Sequence, residues 1–99
     1  MRKGTTPKLA FSLPFDTSGV SCVRVVFALN NTPILVKEGK DCTFQDNFVV
    51  SPFTQEETFL FDCDTNYKVQ MRVKLIDGSV ISSEIMTLPV ERCLDKEVL

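Results

Sequence analysis

The residues able to do covalent or metal chemistry in this 99-residue chain are few, and none is a histidine. Without imidazole there is no Ser-His-Asp or Cys-His nucleophile and no His-ligated metal. Cys22, Cys42, Cys63 and Cys93 are scattered singly, and no C-x-x-C pair stands among them. A zinc site would have to collect all four as separate ligands. Two disulfides would have three connectivities. With no secretory segment in view, reduced cysteines that pack as small hydrophobes are the plainer expectation. A reactive thiol needs a neighbour that lowers its pKa, and none is visible beside any Cys.

The acids give two further patterns. Glu56 and Glu57 are adjacent, as a metal or acid–base pair would be. They also suit the first turn of a helix, whose positive end favours negative charge. Asp62, Asp64 and Asn66 alternate as in a calcium loop. Such a loop wants Gly at its sixth position and Glu at its twelfth, where this chain has Tyr67 and Val73. A polar turn bonding its own backbone fits better. Four scattered glycines build no phosphate loop. The expectation is therefore no enzyme, no metal, no cofactor and no small-molecule substrate.

The remaining charge defines a surface. Lys68, Gln70, Arg72 and Lys74 alternate with apolar residues and so share one strand face, which Arg24 could join from a neighbouring strand. This is either a docking patch for an acidic partner or a solvated face. Eleven basic residues stand against thirteen acidic ones, a net charge of −2. That balance argues against binding nucleic acid through many phosphate contacts.

The elements that must position these side chains are strands. From Tyr67 to Leu75 apolar and polar residues alternate at every position, the signature of a half-buried strand. Asp77-Gly78 is a hairpin signal, and Val80–Val90 runs back as the partner, with Pro89 placing its end at a sheet edge. Val20–Leu29 alternates Val23, Val25, Phe27 and Leu29 with Cys22, Arg24, Val26 and Ala28. Its second face is only partly polar, so this strand is central, and the tail or another subunit could cover Cys22, Val26 and Ala28. Asn30-Asn31 turns into Pro33–Lys37. Cys42–Gln45 and Phe48–Ser51 flank Asp46-Asn47 as a short hairpin, and Leu9–Leu13 is an N-terminal strand. Thr54-Gln55-Glu56-Glu57 is a capping box, so one helical turn is expected near 54–58, with Phe59 and Phe61 plugging the core.

Seven strands with turns every eight to twelve residues indicate a single all-β domain over 1–99. The expected fold is a small antiparallel β-sandwich, immunoglobulin-like in architecture, with a small barrel as the runner-up. Residues 1–7 read as a flexible start and 91–99 as a tail or short extra element. Eight Phe replace Trp as core filler. Phe44, Phe48 and Phe53 crowd the short hairpin, and any that stays outside would mark a binding surface. Leu9–Phe15 is too interrupted by Pro14 and Asp16 for a signal peptide. No apolar run approaches the ~20 residues of a membrane span.

Several segments resemble a family of small proteins encoded by tailed phages and prophages of gut bacteria, chiefly Firmicutes. They include Gly4-Thr5-Thr6-Pro7, Leu13-Pro14-Phe15-Asp16, Asp41-Cys42, Thr54–Thr58, Phe61-Asp62 and Gln70-Met71-Arg72-Val73. Asp77-Gly78, Ser83-Glu84-Ile85 and Cys93-Leu94-Asp95 continue the pattern. The likeness covers nearly the whole chain from Gly4, in order and spacing. It departs at Asp46-Asn47, where the family usually has Asn-Gly. The family is uncharacterised, so it brings no catalytic residues. The resemblance implies synthesis in the host bacterial cytoplasm and a place among phage structural or virion-associated proteins. Its partners would be other phage proteins or further copies of itself. A cell-surface adhesion or carbohydrate-binding domain is the alternative, weakened by the lack of Trp and the single Tyr.

Overall fold

The structure, a computed structural model, describes residues 1–95 and 97–99. Two antiparallel sheets pack together as a small all-β sandwich. The strands are β1 (Lys8–Ser12), β2 (Val20–Leu29), β3 (Thr32–Glu38), β4 (Thr43–Gln45), β5 (Phe48–Pro52), β6 (Thr65–Leu75), β7 (Val80–Ser82) and β8 (Met86–Val90). One helical turn, α1 (Gln55–Thr58), links β5 to β6. The first sheet has the order β1-β5-β4. In the second, β3, β2 and β6 are neighbours, and both β7 and β8 pair with the far side of β6.

The turns follow the residues that permit them. Asn30 and Asn31 both take positive φ (51° and 65°), as a two-residue hairpin turn requires. Asp46 also has positive φ, and the β4–β5 hairpin closes there without the glycine usual at such turns. Its tip is held from outside: Thr17 N and Oγ1 donate to Asp46 O, and Asn47 Nδ2 donates to Leu13 O. At Asp77-Gly78 the glycine has φ 92°, and Ser79 N donates to Asp77 Oδ1. The expected capping box forms as well: Glu57 N donates to Thr54 Oγ1, and Thr54 N donates to Glu57 Oε1.

The single return strand expected over Val80–Val90 is divided in two. β7 pairs Arg72 with Ser82, whereas β8 pairs Val69 with Met86, so the intervening stretch carries one extra residue. This is a bulge. Ser83 stabilises it by accepting Met71 N on its hydroxyl, while its own N–H donates to Met71 O. Pro89 lies on β8, at the sheet's edge, where its missing N–H costs no ladder bond. Residues 1–3 run alongside this edge, with Glu91 N donating to Met1 O and Lys3 N to Glu91 O.

The alternation of β2 and β6 becomes an inside and an outside. Val23, Val25 and Phe27 join Tyr67, Val69, Met71 and Val73 in the core. Phe11, Val49 and Phe53 meet them from the smaller sheet and its exit, and Phe61 enters after α1. Phe27, Phe53, Phe61 and Tyr67 pack edge to face, with centroids 4.7–6.2 Å apart. That geometry suits the ring quadrupoles. The buried Tyr67 hydroxyl accepts Asp62 N at 2.7 Å. Phenylalanine therefore fills much of the core, but Phe44 and Phe48 remain 44% and 43% exposed.

Candidate functional site: a basic groove at one end of the sandwich

Register decides which of the basic residues meet. On β2 and β6, Arg24 stands directly opposite Arg72, Cys22 opposite Lys74, Val26 opposite Gln70 and Ala28 opposite Lys68. All eight therefore lie on the outward face of the larger sheet. The pattern expected for Arg24, Lys68, Gln70, Arg72 and Lys74 is thus one continuous face, but its two halves differ. Lys68 Nζ donates to Thr87 Oγ1, and Gln70 Nε2 donates to Ser83 O, so these two serve the β6–β8 side of the sheet. Arg24, Arg72 and Lys74 make no ion pair and no side-chain hydrogen bond among the described residues.

Arg24, Arg72 and Lys74 instead line a groove of about 740 Å³, together with Lys40, Phe44 and Val80. Lys40 sits in a short turn (Gly39–Asp41) between β3 and β4, and Phe44 comes from β4. Glu38 is the acid on the groove's lining. Like charges directly opposite on paired strands destabilise a sheet. Here Arg24 faces Arg72 on β6, with Lys74 beside them, and faces Glu38 on β3. The groove thus presents four cations, an exposed aromatic ring and an exposed Val80. That combination suits an acidic ligand with an apolar component.

Sequence reasoning named Arg24, Arg72 and Lys74 but not Lys40. It flagged Phe44 only as a ring that could stay outside. Both reach the groove through tertiary packing of a turn against β2: a Cβ on Gly39 would lie 3.8 Å from Val23 N and 3.9 Å from the Phe44 ring.

The other candidates resolve differently. Glu57 does not pair with Glu56. Its carboxylate takes two hydrogen bonds from Lys37 Nζ, at 2.9 and 2.8 Å. Lys37 is on the inward face of β3, only 6% exposed, with Nζ 5.7 Å from the Phe53 ring centroid. Burial pushes the Glu57 carboxyl up, but bonds from Lys37 and the Thr54 backbone outweigh it and hold the group below its ordinary value. Asp64 has its carboxylate on Arg92 at 2.7 Å, and its backbone takes positive φ in a polar turn.

The four cysteines are unpaired. They do not pack as fully buried hydrophobes, contrary to the sequence expectation: Cys22 is exposed and the other three are half-buried. The reason is position: Cys22 falls on the outward face of β2, Cys42 and Cys63 precede β4 and β6, with Cys42 packed against the core's margin, and Cys93 lies beyond the end of β8. Burial pushes the Cys42 thiol up, against the Ser51 hydroxyl and the Lys37 charge. That is the opposite of an activated nucleophile. Cys63 and Cys93 line a second cavity of about 410 Å³ with Lys3 and Arg92.

The chain matches no known protein family, no curated protein and no solved structure. Among the described residues, no helix is long and apolar enough to cross a membrane.

Proposed function

We propose that this protein is a non-enzymatic interaction module that holds an acidic segment of a protein partner in the groove lined by Arg24, Arg72 and Lys74. One observation carries the reading. Two arginines face each other across adjacent strands, neither in an ion pair among the described residues, in a groove that adds two lysines and an exposed phenylalanine against a single acid, Glu38, which stands opposite Arg24 on β3. An arrangement that costs folding energy becomes favourable when carboxylates bridge it. The resemblance to phage-encoded proteins supports a setting for this reading. The chain would act as a structural or virion-associated protein of a tailed phage or prophage, made in the host cytoplasm. Its partners would be other virion proteins or further copies of itself.

Phe44 favours a second reading. An exposed ring beside cations can also seat a sugar, as an adhesion or carbohydrate-binding domain would. A glycan array separates the two: a reproducible glycan lost on Phe44→Ala supports adhesion.

Affinity purification from the infected or lysogenic host tests the first reading, with the captured proteins identified for wild type and for Arg24→Glu/Arg72→Glu. The expected result is a defined set of proteins lost with the double variant. An identical set from both contradicts it.

A further inference from the structure

We infer that the groove receives the segment Leu94–Leu99 of a second copy, so that the protein self-associates head to tail. This rests on the reading of the groove as a partner site and names its occupant.

The described residues of this segment are largely exposed, with Leu99 N donating to Gln55 Oε1 on α1. Leu94 and Leu99 are 94% and 97% exposed, and Val98 is exposed as well. Three apolar side chains in water within six residues are a liability unless something covers them. Asp95 and Glu97 interleave with them, with Lys96 between, so the six residues carry two acidic side chains against one basic. The groove offers the complement: Arg24, Arg72 and Lys74 for the carboxylates, and Phe44 and Val80 for the apolar side chains. Opposite potentials on the two surfaces would also steer the encounter.

Geometry makes the contact intermolecular. β8 ends at Val90 opposite Thr65, the first residue of β6, whereas the groove lies at Arg72–Lys74, near the other end of that strand. Nine residue steps of strand separate Thr65 from Lys74, roughly 30 Å. Leu94 is four residues beyond Val90, a reach of about 14 Å at full extension. It lies beside Cys93 and Arg92 at its own end of the molecule. One molecule therefore cannot seat Leu94 in its own groove, and Leu99 is held back by its bond to Gln55 on α1, next to Phe59 of the cavity that Leu94 lines. Because segment and groove are different surfaces, each copy has one of each to offer. The contact is heterologous, and it propagates into a ring if the rotation closes or into a filament if it does not.

The test uses two variants that neutralise charge without reversing it. Arg24→Gln/Arg72→Gln disables the groove, and Leu94→Ser/Asp95→Asn/Glu97→Gln disables the segment. All five positions are exposed, and circular dichroism checks that both variants fold. Sedimentation velocity at low salt, over a range of concentrations, reads association. Wild type should grow in mass with concentration, and each variant alone should associate at least tenfold more weakly. An equimolar mixture of the two should form a heterodimer that grows no further, since it retains one intact segment and one intact groove. A wild type that stays monomeric throughout overturns the inference, as does a segment variant that associates like wild type. Host-partner capture distinguishes the two failures. If Arg24→Gln/Arg72→Gln loses captured proteins while wild type is monomeric, the groove still binds a partner but not this segment. If capture is also unchanged, the groove reading itself fails.

Discussion

Glu57→Gln should cost more than its position on a half-exposed helical turn suggests. Glutamine keeps the capping box, because its amide oxygen can still accept Thr54 N. What it removes is the counter-charge of Lys37, which is 6% exposed and bonded to both Glu57 oxygens. Orphaning one partner of a buried ion pair costs about 3–5 kcal/mol. Partial exposure of the Glu57 carboxylate puts this case at the low end, about 3 kcal/mol. In a domain of this size each kcal/mol moves the melting temperature by roughly 4–8 °C, so the drop should be roughly 12–24 °C. Lys37→Met should cost about 1 kcal/mol or less, since methionine fills the apolar slot beside Phe53 and Glu57 keeps its capping bonds. The double variant should resemble Lys37→Met. Thermal and urea melts at pH 7 measure all three. Equal costs for the two single variants, or a cost under about 1 kcal/mol for Glu57→Gln, would refute the reasoning.

Four further outcomes follow from the same contacts. Glu57 has its folded pKa below the ordinary value, so the pair's contribution is complete above about pH 4.3 and is lost as pH falls through the folded pKa. Wild type should therefore lose stability below that pH more steeply than Glu57→Gln, as acid titration of the melting temperature would show. Met71→Asp should unfold the domain, because it buries a charge at the centre of β6 and costs several kcal/mol, visible as loss of the urea transition. Arg72→Glu should leave the fold intact and raise stability slightly, by roughly 0.2–1 kcal/mol, because it turns a like-charge pair with Arg24 into an opposite one. Adding a reductant should leave the melting temperature unchanged, since all four cysteines are unpaired; a drop of tens of degrees would contradict that.

What the sequence made legible were features that repeat locally. The period of two in Tyr67–Leu75 identified β6 and both its faces, because the chain between two layers must alternate. The capping box at Thr54–Glu57 was equally plain, being complete within four residues. Features that depend on partners distant in sequence were not. Lys37 reads as an ordinary polar end to β3, and its counter-ion lies twenty residues away on α1. The bulge at Ser83–Ile85 has no glycine or proline to announce it, because a serine hydroxyl supplies the missing ladder bond. For the site, alternation placed Arg72 and Lys74 on one face. Only the β2–β6 register could set Arg24 against Arg72, and only the packing of the Gly39–Asp41 turn could add Lys40 and Phe44.

The most direct test of the central claim compares the proteins captured from the native host by wild type and by folded Arg24→Glu/Arg72→Glu. A defined partner set should be lost with the double variant and retained when Lys68, on the same face but outside the groove, is changed to Glu. Loss with both variants, or with neither, would contradict a partner site centred on the Arg24–Arg72 pair.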